Sequence, residues 1–322
     1  MQNQTQSKLG SFAGDVRRGL SATPKFLSSK YFYDDAGSRL FQQIMDLPEY
    51  YLTRTEAEIF SSQKKEITES FTAGRQSFDL IELGAGDGAK TSILIDYFLS
   101  QKIDFTYSPV DISGEAIETL TTKFRNLFPD LSIKPRRGDY FHILETLKTE
   151  SARAKIILFL GSNIGNFSRA SAIAFFKQLR AVINEKDLLF VGFDLQKNPS
   201  VILDAYNDKQ GVTAAFNLNL LTRVNRELGA DFDIRKFFHY AAYNPAKGAA
   251  RSFLMSGEEQ KVSIKSLNQE FYFKKWEPVY MEISQKYTPE MIEQFAAESG
   301  FEIVRNFFDR EVYFVDSLWK TL

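Results

Sequence analysis

A glycine-rich turn directly after an apolar segment is the first place in the sequence where residue types and spacing could do chemistry. Residues 78–91 read FDLIELGAGDGAKT, an apolar strand followed by Gly84, Gly86 and Gly88. Three glycines in five residues let the backbone approach a ligand closely. A helix that begins near Ala89 would offer unpaired N–H groups beside that ligand. The pattern predicts a nucleotide site, of either the dinucleotide type or the S-adenosylmethionine type.

Composition narrows the chemistry that such a site can use. The 322 residues include no cysteine, which excludes disulfides and thiolate catalysis, and only two histidines, which disfavours histidine-rich metal sites. We therefore predict no metal, and the lack of cysteine favours a cytoplasmic location. A net charge of −1 predicts no nucleic-acid partner, and no run approaches the ~18 apolar residues needed to cross a membrane. The predicted state is a monomer with a small-molecule partner.

The elements that must position the turn alternate between strands and helices. The predicted strands after the turn are 104–110, 131–134, 155–160 and 188–193. Their alternation with helices predicts a doubly wound α/β sheet. Segments 301–308 and 312–319 follow a helix that Thr288 and Pro289 begin, and they read as an antiparallel hairpin. A five-stranded parallel core closed by a hairpin is the methyltransferase arrangement, whereas dinucleotide folds continue with a sixth parallel strand.

Polar residues follow several of these strands, where open α/β sheets bind their ligands. Asp111 ends the second strand and could accept both ribose hydroxyls, while Asp139 and Tyr140 follow the third strand, where a carboxylate can take the adenine amino group. The segment 161–166 follows the fourth strand, beside the transferred methyl group. Both carboxylates also have a purely structural interpretation: Asp111 could be a helix cap, and Asp139 could be a turn residue. The predicted cofactor-binding residues are Gly84, Ala85, Gly86, Lys90, Asp111, Asp139 and Tyr140.

Three segments outside the sheet have weaker patterns. Residues 1–25 are polar and predict a loosely packed lead-in. The sequence TRTE at 53–56 matches a capping box, which predicts that a helix begins there and runs to about Phe71. Residues 195–286 interrupt the strand–helix alternation and predict an α+β insertion.

Longer motifs add a family resemblance. They include FYD at 32–34, LPEYY at 47–51, GSNIGNF at 161–167 and GVTAAFN at 211–217, with Glu282 and Ser284. Through these motifs the chain resembles, from about residue 30 to 290, the L-histidine Nα-methyltransferase family, whose members use S-adenosylmethionine in ergothioneine biosynthesis. The resemblance implies a Rossmann-like class I methyltransferase core of 61–195 and 287–322 with the terminal antiparallel hairpin. It also implies a smaller α+β substrate-binding domain of 1–60 and 196–286.

The resemblance further implies how the amino acid is bound. Asn166 and Tyr206 would hold its carboxylate, and Tyr33 would lie by its amine. Glu282 and Ser284 would bond the imidazole ring. The predicted substrate-binding residues are Tyr33, Phe41, Tyr50, Gly161, Asn166, Tyr206, Glu282 and Ser284, and the predicted catalytic residues are Tyr33 and Asn166.

The predicted reaction is methylation of the α-amine of free L-histidine, with successive transfers up to the trimethyl betaine. Ser252 stands where the family has a methionine, so methylation of another amino acid, or of a ring nitrogen of histidine, remains an alternative. Two further alternatives are a non-catalytic S-adenosylmethionine-binding protein and an NAD(P)-dependent oxidoreductase. The first would lack substrate residues, and the second would enhance NAD(P)H fluorescence on binding.

Overall fold

The computed structural model describes the backbone of residues 2–322 and the side chains from Gly10 onward. The chain divides into two compact units. One comprises Met1–Tyr51 and Lys197–Ser284 and is called the insertion unit here. The other comprises Leu52–Gln196 and Gln285–Leu322 and is called the sheet unit.

Helices and strands account for most of the described chain. The helices are α1 (Gln2–Ser21), α2 (Asp35–Met45), α3 (Tyr51–Thr72), α4 (Ala89–Ser100), α5 (Gly114–Leu127), α6 (Tyr140–Glu150), α7 (Arg169–Val182), α8 (Pro199–Ala205), α9 (Val212–Leu228) and α10 (Pro289–Glu298). The strands are β1 (Ser77–Leu83), β2 (Asp104–Asp111), β3 (Arg136–Arg137), β4 (Ala154–Phe159), β5 (Leu188–Asp194), β6 (Phe237–Asn244), β7 (Ala249–Ser256), β8 (Gln260–Ile264), β9 (Gln269–Phe273), β10 (Pro278–Gln285), β11 (Phe301–Phe308) and β12 (Phe314–Thr321).

The sheet unit is built on a seven-stranded sheet in the order β11-β12-β5-β4-β1-β2-β3. Strands β1 to β5 pair in parallel, and β12 runs antiparallel to both β5 and β11. The predicted α/β sheet with its closing hairpin is therefore confirmed. The third strand is shorter and later than predicted, because Pro109 of β2 has no N–H to donate toward it, which leaves only a bridge between Ile133 and Tyr107 before β3.

Apolar side chains cover both faces of this sheet, as expected for interior parallel strands. Successive residues of a strand point to opposite faces. On β1, Leu80 belongs to a core cluster with residues of α3, α4 and α5, whereas Ile81 belongs to a cluster with residues of α6, α7 and α10. Because β1 pairs in parallel with both β2 and β4, the carboxyl ends of these three strands lie at the same edge of the sheet.

Helix α3 corrects two predictions. It begins at Tyr51, so the predicted start at the capping box of 53–56 is wrong, and Glu56 lies within the helix and is fully buried. Ile59 and Phe60 pack in the core of the sheet unit, which therefore includes the chain from Leu52 rather than from residue 61.

The insertion unit has an α+β architecture. A three-stranded sheet in the order β10-β7-β6 and the two-stranded sheet β8-β9 pack with helices α1, α2 and α9 around a separate apolar core. The predicted loose lead-in is wrong, because residues 2–21 form a helix that contributes Phe12, Val16 and Leu20 to this core at four-residue spacing. Among the described residues, no helix combines the length and apolarity required to cross a bilayer.

Candidate active site

The glycine turn of the sheet unit has the left-handed backbone that its composition predicts. Gly86 (φ +56°) and Gly88 (φ +65°) adopt a region that other residues rarely occupy. A Cβ on Gly86 would meet nothing within 4 Å, so this part of the turn faces open space. Gly88 is the N-cap of α4 and has no side chain to cap it. The Ala89 amide donates to Asp87 Oδ1 at 3.0 Å, so the next amides of the first turn are those that could bind a ligand.

Glu82 lies beneath this turn and is buried. Its Oε1 accepts a hydrogen bond from the Thr91 hydroxyl at 2.7 Å, and its Oε2 accepts one from the Tyr107 hydroxyl at 2.5 Å. Burial raises the pKa of Glu82 to about 7, although both hydrogen bonds act in the opposite direction. The carboxyl group therefore joins β1, β2 and α4 behind the turn, and its charge changes near neutral pH.

This raised pKa predicts a pH-dependent stability. Between pH 4.5 and about 7 the folded state binds more protons at Glu82 than the unfolded state, so the free energy of unfolding falls as pH rises. Glu82→Gln removes this titration. From pH 5 to pH 8, we expect the wild type to lose about 2–3 kcal/mol relative to Glu82→Gln. Urea unfolding at both pH values measures the difference, with the exposed Glu118→Gln as control. A difference that does not change with pH would contradict the prediction.

The carboxylates predicted to bind the cofactor also have structural partners. Asp111, half-buried at the end of β2, accepts a hydrogen bond from the Ser113 amide through Oδ1. Asp139 is the N-cap of α6 and accepts from two helix amides through Oδ1. In both residues the bonds found in the described chain use one oxygen and leave Oδ2 for a ligand.

Tyr140 lies over the start of the glycine turn. Its hydroxyl oxygen is 2.8 Å from the position that a Cβ on Gly84 would occupy. Burial, and then the charge of Asp111, raises the pKa of Tyr140 to about 12, so the hydroxyl stays protonated as a hydrogen-bond donor. The sheet thus gathers the predicted residues that follow β1, β2 and β3 at one edge.

The loop 161–166 after β4 is held by hydrogen bonds to the end of β5 and to the chain after β10. The Ser162 hydroxyl accepts a hydrogen bond from the Asp194 amide at 3.0 Å, and the Tyr287 hydroxyl donates to a loop carbonyl at 3.0 Å. Asn166, at the end of the loop, is exposed. Its amide is therefore available to a ligand while the backbone that carries it is held.

Glu56 is a site residue that the sequence prediction missed. Its carboxylate accepts a hydrogen bond from the Lys90 ammonium and another from the Gly161 amide at 2.8 Å. Glu56 thus links two predicted site residues on different loops. A signal was present, since Glu56, Ile59 and Phe60 follow i, i+3, i+4 spacing, which puts a carboxylate on the apolar face of α3.

The insertion unit brings the predicted aromatic residues together. The ring centroids of Tyr33 and Phe41 are 5.4 Å apart, those of Phe41 and Tyr50 are 6.2 Å apart, and those of Tyr50 and Tyr206 are 6.5 Å apart. The Tyr206 and Ser284 hydroxyls form a hydrogen bond of 2.7 Å. Five predicted substrate residues therefore form one cluster with aromatic walls and a polar end.

Electrostatics within this cluster set the protonation of its phenols. Although 49% of the Tyr33 surface is exposed, partial desolvation among the neighbouring rings raises the pKa of its phenol, and the charge of the nearby Glu282 raises it further. The phenol of Tyr33 is therefore protonated at neutral pH. His239 donates from Nε2 to the backbone carbonyl of Tyr206 at 2.9 Å, and burial lowers the pKa of this histidine. His239 thus supports the turn that carries Tyr206.

Comparison with known proteins gives this arrangement a family. Residues 12–321 match the model of a family described as histidine-specific methyltransferase, SAM-dependent. The chain belongs to this family. It is 37% identical over 286 residues to a histidine N-alpha-methyltransferase of Mycolicibacterium smegmatis, covering 89% of this chain and 87% of that protein.

Two other relatives agree with this membership. A histidine N-alpha-methyltransferase of Mycobacterium tuberculosis is 35% identical over 90% of this chain and 89% of its own length. Ergothioneine biosynthesis protein 1 of Schizosaccharomyces pombe is 27% identical over 87% of this chain, which spans 37% of that longer protein. The predicted family is confirmed, and the protein is an S-adenosylmethionine-dependent methyltransferase.

The sheet unit has residues that fit this cofactor. The open space at Gly86 and the amides at the start of α4 would suit the carboxylate end of this cofactor, and the Asp111 carboxylate at the end of β2 would suit its ribose hydroxyls. Gly84, Ala85, Asp139 and Tyr140 lie in the same loops. Lys90 is different, because its ammonium is bound to Glu56.

Proposed function

We propose that this protein methylates the α-amine of free L-histidine, with successive transfers to the trimethyl betaine, and that it acts in ergothioneine biosynthesis. The observation that carries the proposal is the cluster of the insertion unit, where phenols, Ser284 and Glu282 accompany aromatic walls. Free histidine has a carboxylate, an amine and a polar ring, and this set of side chains offers a partner for each. The sequence motifs of the family support the same assignment.

The substrate roles follow from the donors and acceptors available. The Asn166 amide and the Tyr206 phenol would donate hydrogen bonds to the substrate carboxylate. Glu282 would accept one from an imidazole N–H and favour the protonated ring. A substrate with an apolar side chain would leave the Glu282 carboxylate unpaired, which costs several kcal/mol. Ser284 would add a second hydrogen bond to the ring, and Phe41 and Tyr50 would wall it.

Methyl transfer requires a neutral amine, because an ammonium has no free electron pair. S-adenosylmethionine supplies the methyl group when bound. The chain must orient the α-amine toward the methyl group and keep the other nitrogen atoms of the substrate away from it. Tyr33 would hold the amine by a hydrogen bond, and its raised pKa makes the phenol unsuitable as the base. We therefore assign the released proton to water.

The same proposal assigns a binding role to each of the two units. The insertion unit would bind the amino acid, and the sheet unit would bind the cofactor. A cytoplasmic location and the absence of a nucleic-acid partner stay predictions from composition, and the monomeric state also stays a prediction.

Product analysis tests the proposal. The protein is incubated with S-adenosylmethionine and each proteinogenic amino acid in turn, and products are identified by mass spectrometry. We expect species heavier by one, two and three methyl groups with histidine only, and fragmentation should locate the groups on the α-nitrogen. Methylation of another amino acid, or of the imidazole ring, would contradict the proposal and favour the alternatives raised by Ser252, which is buried on β7.

A further inference from the structure

Glu56 occupies an unusual position for a carboxylate. It lies in the middle of the first half of α3 and is fully buried. Its two oxygens lie 2.8 and 3.1 Å from the Gly161 amide, and Oε2 also accepts a hydrogen bond from Lys90. A buried ion pair is retained at the expense of desolvation, so its position needs an explanation other than stability alone.

The two partners of Glu56 belong to different loops. Lys90 is the second residue of α4, directly after the glycine turn, and Gly161 is the first residue of the loop that ends at Asn166. The Lys90 Nζ lies only 3.4 Å from the position that a Cβ on Gly161 would occupy. Glu56 is therefore the group through which the loops after β1 and β4 are joined.

A second carboxyl group lies beside this pair. Asp316 on β12 pairs in register with Gly192 on β5, and side chains at paired positions point to the same face. A Cβ on Gly192 would lie 2.6 Å from the Oε1 of Glu56, so the glycine makes the space that Glu56 fills. Asp316 is fully buried, and its oxygens accept no hydrogen bond from an N–H or O–H group of the described residues. When it is protonated, its carboxyl group lies within hydrogen-bond reach of Glu56.

The charges of this cluster do not balance if every group is ionised. Lys90, whose side chain is 22% exposed, offers one positive charge, whereas the fully buried Glu56 and Asp316 would give two negative charges. Burial, and then the charge of Glu56, raises the pKa of Asp316 well above its usual range. Burial lowers the pKa of Lys90, but Glu56 outweighs it, so that the pKa is raised overall. Asp309, the next carboxylate, is occupied by main-chain amides of residues 311, 313 and 314.

We propose that Glu56 is a positioning residue that fixes Lys90 and Gly161 relative to each other, and that Asp316 is a neutral acid in reserve. When Glu56 loses its charge, Asp316 ionises and becomes the counter-ion of Lys90. The inference rests on the proposed role of the two loops in binding the cofactor. It adds to the site two residues, one on α3 and one on β12, that touch neither substrate nor cofactor.

Calorimetric binding of S-adenosylhomocysteine to three variants tests this pair. Glu56→Gln keeps an oxygen for the Gly161 amide but removes the charge, and we expect the dissociation constant to rise about 5-fold, because Asp316 replaces the lost charge. Asp316→Asn alone should change it less than about 2-fold. In the double variant Lys90 loses both of these carboxyl groups and keeps only the weaker influence of Glu82, so we expect a rise of about 100-fold, well above the product of the single effects.

The exposed Asp96→Asn on α4 is the matched control and should leave binding unchanged. A double variant that shows only the product of the single effects would overturn the reserve role of Asp316. An Asp316→Asn variant as impaired as Glu56→Gln would overturn it as well, because it would mean that Asp316 is already ionised. Thermal unfolding of each variant separates lost binding from lost folding.

Infrared spectroscopy gives a test that needs no variant of Glu56. The wild-type protein at neutral pH should show the carbonyl band of a protonated carboxyl group, and Asp316→Asn should lack the part of it that comes from Asp316. An unchanged band would contradict the proposal. Neither binding nor the infrared band depends on which amino acid is methylated, so failure of the histidine assignment would leave both results interpretable.

Discussion

Glu282→Ala is expected to lower kcat/KM for histidine by about 100-fold or more, because a site built to bond a polar ring loses the partner for its N–H. The affinity for S-adenosylhomocysteine should not change, since Glu282 belongs to β10 of the insertion unit, whereas the predicted cofactor residues belong to the sheet unit. Steady-state kinetics with histidine and calorimetry with S-adenosylhomocysteine measure the two effects.

Glu282→Gln is the matched control for this prediction. The amide keeps a carbonyl oxygen as acceptor but removes the charge that favours a protonated ring, so an intermediate loss of about 10-fold is expected. Asn166→Ala should resemble Glu282→Ala in kinetics, because the substrate carboxylate would lose a donor. Unchanged kinetics with histidine in both alanine variants would contradict the site assignment.

Gly88→Ala should have the largest effect on folding among substitutions in the glycine turn. A Cβ there would overlap the ring of Phe124 and lie 2.6 Å from Leu120 Cδ1, and both side chains are buried in α5. With the cost of a left-handed backbone added, we expect the free energy of unfolding to fall by about 2–4 kcal/mol. Chemical unfolding at constant pH measures this loss.

Gly86→Ala separates the two causes. Gly86 has a similar positive φ, but a Cβ would meet nothing within 4 Å. Only the cost of placing alanine in a left-handed backbone conformation remains, so the free energy of unfolding is expected to fall by about 1 kcal/mol. Equal losses in the two variants would mean that overlap with α5 is relieved by local movement, and the steric part of the argument would be wrong.

Local signals in the sequence predicted the fold correctly where the interactions are local. Thr288 caps the helix that it was expected to begin, because its side chain accepts a hydrogen bond from the Met291 amide only three positions away. The continuous apolar run of β4 identified a buried parallel strand, since both faces of that strand are covered. Such patterns depend on neighbours in the chain and can be read without coordinates.

Prediction failed where a local pattern has two physical outcomes. The sequence TRTE at 53–56 matches a capping box, but the helix begins at Tyr51, and Glu56 instead binds partners 34 and 105 residues away. The first 25 residues are polar on average, yet Phe12, Val16 and Leu20 lie on one face of α1 and pack in the core of the insertion unit. Three apolar residues on one face are enough to pack a helix that is otherwise polar. In both cases the deciding contacts come from distant parts of the sequence.

For this protein the sequence by itself determined the parallel sheet with its closing hairpin, the glycine turn after β1 and the methyltransferase family. These depend on periodicity, on backbone freedom at glycine and on motifs, which are properties of short segments. Only the tertiary structure decided that Glu56 joins the loops of Lys90 and Gly161 and that Asp316 lies buried beside it. The protonation and partners of a buried carboxyl group depend on burial and on charges brought together from α3, α4, β5 and β12, and no local pattern encodes such a sum.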